Sequence, residues 1–364
     1  MLDRTAVVAG LDVHKASTRV VAVQGDRLVW EGTVASDPPF VEAALRRVGV
    51  AACCYEAGPT GYGLARHLGA VGIRCDVVAP GLVWRQPGDR VKTDPRDARR
   101  LAGQFAGGML EAIFVPPVEM EALRDLVRAR EDARHDRMRA RARLGKFLLR
   151  QGRSMPTQSW SIARRAWLGQ QRFDEATQQA AFDDYVCAVD LVDRRIELLE
   201  RHLQDAANDG PQAELIARLR CLRGIDTLTA VGLVAEIGDF ERFASAERFM
   251  SFVGLVPSER SSGEQRKLGS ITKAGNNHVR RLLVEAAWNH RRRPGGSYTV
   301  QRRRRGQDPL VVERALRAEQ RLHRRWSRMR SRGKDERTIV VAVARELAGF
   351  VWAVATDQPL APLR

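Results

Sequence analysis

The segment Lys92-Thr93-Asp94-Pro95-Arg96-Asp97-Ala98 places two carboxylates three residues apart at the start of a helix that we expect over 95–105. Asp is favoured at a helix N-cap and Pro at the first helical position, so capping alone explains the pattern. Residues three apart also share one face of a helix. Two carboxylates at that spacing can bind one divalent cation or help to bridge two. Carboxylates elsewhere in the chain must decide between the two interpretations.

The segments that precede this helix alternate between strand and helix patterns. Apolar or alternating runs predict strands at 6–11, 18–23, 28–33, 51–55 and 73–78, with helices after the third and fourth strands. Asp12 and Glu56 follow the first and fourth strands, and sites in open α/β sheets form where strands end. Either residue alone is equally well a turn residue or a cap. Together with Asp94 and Asp97 they predict an RNase H-like sheet whose four acids converge on two divalent metal ions.

The middle of the chain is predicted to be helical. An Arg- and Ala-rich segment predicts a long polar helix over 123–148, and apolar residues then recur with spacings of three and four. This heptad pattern predicts an antiparallel helical hairpin or coiled coil, and it leaves open whether the seam pairs within the chain or between chains. The arginines fit either a solvated face or a nucleic-acid track. The seam consists of Phe182, Tyr185, Val189, Val192, Ile196, Leu199, Leu203 and Ala206.

Basic residues outnumber acidic residues in this chain of 364 residues, which has a formal charge of +17 and a pI of about 10.7. The stretch 280–334 alone holds 18 Lys and Arg against 4 Asp and Glu, a net charge of +14. Arginines interleaved with Trp288, Tyr298 and Trp326 suit phosphate contact and base stacking, so we predict nucleic-acid binding there. The candidate contacts are Lys273, Arg280, Arg281, Arg291, Arg292, Arg293, Arg302, Arg303, Arg304, Arg305, Arg324 and Arg325.

Other features favour a cytoplasmic protein without membrane spans. The start of the chain lacks a secretory pattern, no run reaches about 18 apolar residues, and the five cysteines show no zinc spacing. The apolar helix expected over 338–355 is predicted to pack as core.

Two segments after residue 211 are ambiguous by themselves. Residues 219–230 resemble a helix-hairpin-helix that binds phosphate, but a plain packing unit explains them as well. A Gly- and Ser-rich basic loop precedes a strong helix over 279–289, and it contains Ser261 and Ser262. Serines in such loops are usually turn or cap residues, and no Ser-His-Asp signature surrounds them.

Taken in order, these motifs resemble the DEDD transposases of the insertion-sequence-110 family, also called bridge-RNA-guided recombinases. The resemblance rests on Gly10-Leu11-Asp12-Val13-His14-Lys15, Glu56-Ala57-Gly58-Pro59-Thr60-Gly61 and the Lys92–Ala98 segment at the front. At the back it rests on Gly254-Leu255-Val256-Pro257, Ser262-Gly263, Leu268–Asn276 and Arg280-Arg281-Leu282-Leu283. Each motif is short, but their order and spacing cover almost the whole chain.

The resemblance implies three domains: a RuvC-like catalytic domain over 1–115, a coiled-coil or helical hairpin over 116–210, and a mainly α-helical transposase domain over 211–364. It implies that Asp12, Glu56, Asp94 and Asp97 bind Mg²⁺, two ions per site, and that Ser262 is the nucleophile, with Ser261 as the neighbouring alternative. It further implies double-stranded donor and target DNA, a structured noncoding bridge RNA, and a homo-oligomer that is a dimer or, in synapsis, a tetramer.

Two other functions share parts of this pattern. A RuvC-like junction-resolving nuclease would use the same four acids with water and would have no use for the serine loop. A non-catalytic nucleic-acid-binding remnant of a transposase would keep the basic helices, but the presence of all four acids and the serine argues against it.

Overall fold

The chain forms two compact units in a computed structural model, and the division falls between Pro116 and Pro117. The structure describes residues 5–84, 94–154, 160–259, 268–295 and 297–359, without the side chains of residues 82, 94, 95 and 268. The predicted three-part division into 1–115, 116–210 and 211–364 stays a prediction. Its second and third parts both lie in the second unit, apart from residue 116.

A five-stranded mixed sheet forms the centre of the first unit. Its strands follow the order β3-β2-β1-β4-β5, with β2 antiparallel to β1 and β3, and with β1, β4 and β5 parallel. All five predicted strands are confirmed, and β1 continues two residues beyond its predicted end, so that it includes Asp12. The strands are β1 (Val8–Val13), β2 (Ser17–Gln24), β3 (Arg27–Ala35), β4 (Ala52–Glu56) and β5 (Arg74–Val78).

Helices cover both faces of this sheet, because successive strand residues point to opposite sides. Leu11 and Tyr55 belong to the core on one face, which α1 (Pro38–Val48) and α2 (Gly63–Ala70) cover. Val8 and Cys54 face the other side, where α3 (Asp94–Ala106) packs through Ala98, Leu101, Ala102 and Phe105. Because side chains alternate between the two faces along a strand, every second residue of β1 and β4 points to the face that α3 covers. Asp12 and Glu56 are among these residues.

Gly10 allows α3 to approach β1 closely. A Cβ atom on Gly10 would lie 2.5 Å from the carbonyl oxygen of Ala98 and 2.9 Å from Cβ of Leu101. Both distances are below any ordinary contact, so the backbones of β1 and α3 meet directly at this point. The position of α3 on the sheet therefore depends on the missing side chain.

An antiparallel pair of long helices opens the second unit. α4 (Val118–Arg150) packs against α6 (Ala176–Asp209), and the short helix α5 (Ile162–Gly169) lies between them in sequence. Every second residue of the α6 seam is half-buried. The residues between them are buried and lie seven positions apart, namely Phe182, Val189, Ile196 and Leu203. The predicted helical hairpin is confirmed within the chain, and supercoiling into a coiled coil stays a prediction.

Seven more α-helices and two short strands follow in the described residues of the second unit. Its core includes α8 and α13, and Val343, Leu347 and Val351 of α13 are fully buried. By length and composition alone α13 could cross a membrane, but most of it is buried inside this unit, as predicted for a core helix. The elements are α7 (Ala213–Leu219), α8 (Thr227–Ile237), α9 (Ala246–Phe252), β6 (Pro257–Glu259), β7 (Leu268–Ile271), α10 (Asn277–Ala287), α11 (Tyr298–Arg304), α12 (Pro309–Ser331) and α13 (Glu336–Thr356).

The turn between α7 and α8 has the features of a packing unit. Gly224 adopts a φ of +88° and lies directly against the backbone of Ala286 in α10. Asp226 caps α8, because its Oδ1 accepts a hydrogen bond of 2.8 Å from the backbone N–H of Thr229. A carboxylate already occupies this helix start, which disfavours a phosphate at the same place. Of the two interpretations of residues 219–230, the structure favours packing.

Candidate active site

Asp12 and Glu56 lie on neighbouring parallel strands. β1 and β4 pair residue for residue up to Leu11 and Tyr55, so the next pair in this register is Asp12 with Glu56. Neighbouring strands are about 4.8 Å apart, and residues in parallel register point to the same face. The two carboxylates are therefore adjacent at the carboxyl ends of their strands, on the face that α3 covers.

α3 brings its first turn to the same face of the sheet. Asp94 precedes the buried Ala98 by four residues, and Asp97 precedes the buried Leu101 by four. Both acids therefore lie one turn before residues that contact the sheet. Asp97 is only 7% exposed, and its Oδ1 accepts a hydrogen bond of 2.8 Å from Nη2 of Arg100. Asp94 is the first residue of α3, and its side chain is not among those described.

A second cluster of charged residues lies next to these acids, and the sequence patterns did not predict it. Arg19 lies directly opposite Asp12 in the β1–β2 ladder, and its Nη2 is 3.2 Å from Oε2 of Glu31. Arg99 of α3 donates to both oxygens of Glu31, at 2.8 and 2.9 Å. The hydrogen bonds from Arg99 are the main reason that the pKa of Glu31 is lowered. The ionised Glu31 thus ties the first turns of α3 to β3.

The acids have the donor chemistry that hard divalent cations prefer. Carboxylate oxygens of Asp12, Glu56 and Asp97 share one face of the sheet, and such oxygens suit Mg²⁺. Nε2 of His14 lies 3.3 Å from Oδ2 of Asp12. In the described part of the chain, no three His, Cys, Asp or Glu side chains form a complete metal site. The residues fit the metal in donor type, and Asp94 is the remaining acid of the predicted four.

The proposed serine nucleophiles, Ser261 and Ser262, lie outside the described residues, but both ends of their loop are described. β6 and β7 form an antiparallel pair that carries the loop. Behind them, Gly254 and Gly275 have positive φ values of 68° and 71° and lie directly against the backbone of Ala274 and Phe252 respectively. Any side chain at either glycine would collide with main chain. The base of the serine loop is therefore tightly fixed.

A buried polar network stands beside this base. Glu236 of α8 is 6% exposed, and its carboxylate accepts hydrogen bonds from Asn276 Nδ2 at 2.7 Å and Arg128 Nε at 3.1 Å. Nδ1 of His278 lies 3.5 Å from Oε1 of Glu236, the same oxygen that accepts from Arg128 Nε. Burial raises the pKa of Glu236, but the hydrogen bonds from His278, Arg128 and Asn276 outweigh it and lower the pKa to about 2. Asn276 also caps α10, so the network joins α4, α8 and the exit of the loop.

The predicted nucleic-acid contacts divide into two groups. Some are internal braces: Arg280 donates to the carbonyls of Val253 and Ala274, and Arg303 donates to that of Ile225. Arg281 forms ion pairs with Glu131 and Glu285. Arg304 pairs with the buried Glu319, and Arg325 pairs with the buried Glu346. Nη1 of Arg291 lies 3.8 Å from the carboxylate of Glu336. The exposed members are Lys273, Arg291, Arg292, Arg293, Arg302, Arg305 and Arg324, of which Arg291 also lies near Glu336.

Carboxylates on one face of a mixed sheet, joined in one chain to an arginine-rich helical unit, are features expected of an enzyme that acts on nucleic acid. Comparison with known proteins makes this specific. A DEDD transposase model of the IS110 type matches residues 9–151, and the model of the transposase IS116/IS110/IS902 family matches residues 216–299.

Similar proteins cover nearly the whole chain. The "Putative transposase y4qE" of Sinorhizobium fredii is 38% identical over 98% of this chain and 90% of its own length. The transposase for insertion sequence element IS1533 of Leptospira borgpetersenii is 33% identical over 90% of this chain and 98% of its own length. The chain belongs to the IS110 family of transposases. Membership implies a DNA substrate, cleavage and rejoining of DNA, and use of a divalent metal.

Proposed function

We propose that this transposase recombines the DNA of a mobile element through an RNase H-like (RuvC-like) acid site and a serine nucleophile. The observation that carries the proposal is the register of β1 and β4, which sets Asp12 beside Glu56 on the face where α3 begins with Asp94 and Asp97. The strand order β3-β2-β1-β4-β5, in which β2 runs antiparallel to the other four strands, supports the RNase H-like assignment.

In this proposal Asp12, Glu56, Asp94 and Asp97 hold two Mg²⁺ ions. When bound, the ions supply Lewis acidity at the scissile phosphate and lower the pKa of a coordinated hydroxyl. The chain itself supplies orientation. Asp97 is held by Arg100, and α3 is held against β3 by the contact of Arg99 with Glu31.

The serine step keeps the energy of the phosphodiester bond. Oγ of Ser262 attacks the scissile phosphorus, a Ser262–phosphate bond forms, and the bond from phosphorus to the oxygen of the leaving strand breaks. The serine proton passes to a base, and the leaving oxygen takes up a proton to become a hydroxyl. A hydroxyl from the partner strand then attacks the phosphoserine, which releases the serine and joins the strands. Bond number is conserved in both steps, so no nucleotide cofactor is consumed.

Trapping the covalent intermediate tests this proposal and separates it from its rivals. Wild-type protein with Mg²⁺ and element-end DNA should yield a protein–DNA adduct, and Ser262→Ala should abolish it while Ser261→Ala keeps it. The reverse result would move the nucleophile by one residue. Cleavage without any adduct would support a junction-resolving nuclease that uses water. Normal recombination by Asp12→Asn would refute the metal site, and the absence of any metal-dependent cleavage would indicate a non-catalytic remnant.

We further propose that a structured bridge RNA pairs with donor and target DNA and that the protein works as a dimer or, in synapsis, a tetramer. The net charge of +17 supports a large polyanionic partner. The half-buried seam positions Val192 and Leu199 of α6 leave apolar surface for a second copy. RNase treatment of the purified protein should abolish recombination, with restoration by the co-purified RNA. Full activity after complete RNA removal would refute guidance by RNA.

A further inference from the structure

A strongly basic cleft runs between α12 and α13 in the second unit. These helices pack against each other and are joined by the short segment 332–335. The cleft has a volume of about 500 Å³. Against one acid, Glu346, it is lined by six cations, a net charge of +5: Arg321, Arg324, Arg325, Arg328, Arg332 and Lys334.

One buried carboxylate organises the floor of this cleft. Glu346 of α13 is 6% exposed, and its two oxygens hold two arginines of α12. Nε of Arg321 lies 2.8 Å from Oε2, and Nη1 of Arg325 lies 2.7 Å from Oε1. Because a buried carboxylate with good partners fixes the geometry of those partners, the two guanidinium groups are held in place before any ligand arrives.

The other four cations of the cleft have no such partner. Arg324, Arg328, Arg332 and Lys334 are exposed, and within the described residues no acidic side chain lies within ion-pair distance of them. By contrast, several arginines of α4, which is also rich in arginine, are neutralised: Arg130 pairs with Glu200, for example. A merely solvated face is expected to mix charges of both signs, so the unpaired stripe indicates a site for an external polyanion.

The geometry of the stripe matches a phosphate backbone. Arg324, Arg328 and Arg332 are each four residues apart, about one helical turn. From Arg321 to Arg332 the arginines that line the cleft extend about 17 Å at 1.5 Å per residue. One strand of a double helix carries a phosphate about every 3.4 Å along the axis, so this length spans about five phosphates.

None of the described residues that line the cleft is aromatic, so they offer no platform for stacked bases. Trp326, the aromatic residue in this part of α12, is only 1% exposed and belongs to the core. Single-stranded nucleic acid is held mainly by stacking on exposed aromatics, whereas a duplex is held by charge along its backbone. We therefore propose that the cleft between α12 and α13 binds the phosphate backbone of double-helical nucleic acid, which extends the proposed function to a specific surface.

The salt dependence of binding tests this inference directly. The test variant is the full-length protein with four changes to Gln, at Arg324, Arg328, Arg332 and Lys334. Its binding to duplex DNA is measured over a range of salt concentrations, and log K is plotted against log salt concentration. We expect the slope to be less steep than in the wild type by about 3.6, because each of the four lost phosphate contacts contributes about 0.9. Extrapolated from 1 M to 0.1 M salt, this corresponds to a loss of affinity of about 4 × 10³-fold. A matched control removes four cations from α4 instead (Arg139, Arg143, Lys146 and Arg150, each to Gln), and an equal change of slope in the control would overturn the inference.

Parallel titrations with duplex RNA and single-stranded DNA identify the ligand. The larger loss for duplex DNA or for duplex RNA shows which double helix the cleft holds. A loss that is as great for single-stranded DNA would refute the duplex assignment.

Binding of duplex DNA by the Glu346→Gln variant is an independent test, with circular dichroism to confirm that the variant is folded. This change adds one positive charge, so simple attraction predicts tighter binding, whereas loss of the organised arginines predicts weaker binding of the duplex. Tighter binding would refute the organising role of Glu346. These are equilibrium measurements that need no strand cleavage, so a failure of the serine mechanism would leave their outcome unchanged.

Discussion

Substitution of Gly10 by Ala tests whether the contact between β1 and α3 positions the acids. The new Cβ would lie 2.5 Å from the Ala98 carbonyl oxygen, whereas ordinary contacts begin at 3.4 Å. α3 must therefore move by about 0.9 Å, and overpacking of this kind costs about 1–3 kcal/mol. A displacement of about 1 Å at a catalytic group lowers the rate by about 10²-fold. We expect both a loss of stability and a larger loss of activity, because Asp94 and Asp97 move with the helix.

The measurement combines metal-dependent DNA cleavage with hydrogen exchange of the β1 and α3 peptides in increasing urea. Gly103→Ala is the matched control, since Gly103 lies in the same helix and a Cβ there meets nothing within 4 Å. The control should stabilise α3 by about 0.5–1 kcal/mol, because Ala favours a helix more than Gly. If Gly10→Ala matched the wild type in both stability and cleavage, the close approach of α3 would not position the site.

Two further predictions concern carboxylates outside the predicted four. Glu236→Gln should lower the unfolding free energy at pH 7 by about 3 kcal/mol, because the ionised form is favoured by a pKa of about 2 instead of 4.5. The wild type should keep this contribution to its unfolding free energy above pH 4.5 and lose it as the pH falls towards 2, as measured by urea titration at each pH. If the variant lost stability in acid as steeply as the wild type, the ionised Glu236 would not be the source of that contribution. Glu31→Gln should raise the metal concentration for half-maximal cleavage about 10-fold, as for other residues that orient ligands. Glu42→Gln, which breaks a comparable pair with Arg46 on the other sheet face, should leave it unchanged.

Short-range patterns account for the parts of the fold that could be predicted. The strand that ends at Glu56 and the helix that begins at Asp94 follow from local runs of apolar residues and from turn residues. The α6 seam is readable because one face of a long helix must repeat every seven residues. The acids could be found because strand ends and helix starts are visible in sequence, and sites in α/β sheets form there.

Pairings across the sheet and across the helical unit could not be predicted. Arg19 faces Asp12 only through the register of an antiparallel pair, and Glu31 meets Arg99 across 68 positions of the chain. Arg303 looks like any other member of its basic run, yet its guanidinium donates to the carbonyl of Ile225, 78 residues earlier. Composition predicts that a surface is basic, but only tertiary contacts decide which arginines hold the fold and which remain for a ligand.

The burial of α13 sets the order in which a newly made chain can mature. Ribosomes add about 5–20 residues per second, and domains fold as they emerge. The sheet of the first unit is complete by residue 116, but the core of the second unit lacks Val343, Leu347 and Val351 until α13 has been synthesised. A chain cut short before α13 would expose the apolar surfaces of α9, α10 and α12 that normally cover it. Quality-control proteases should therefore remove truncated transposase, while only chains that include α13 survive to act on DNA.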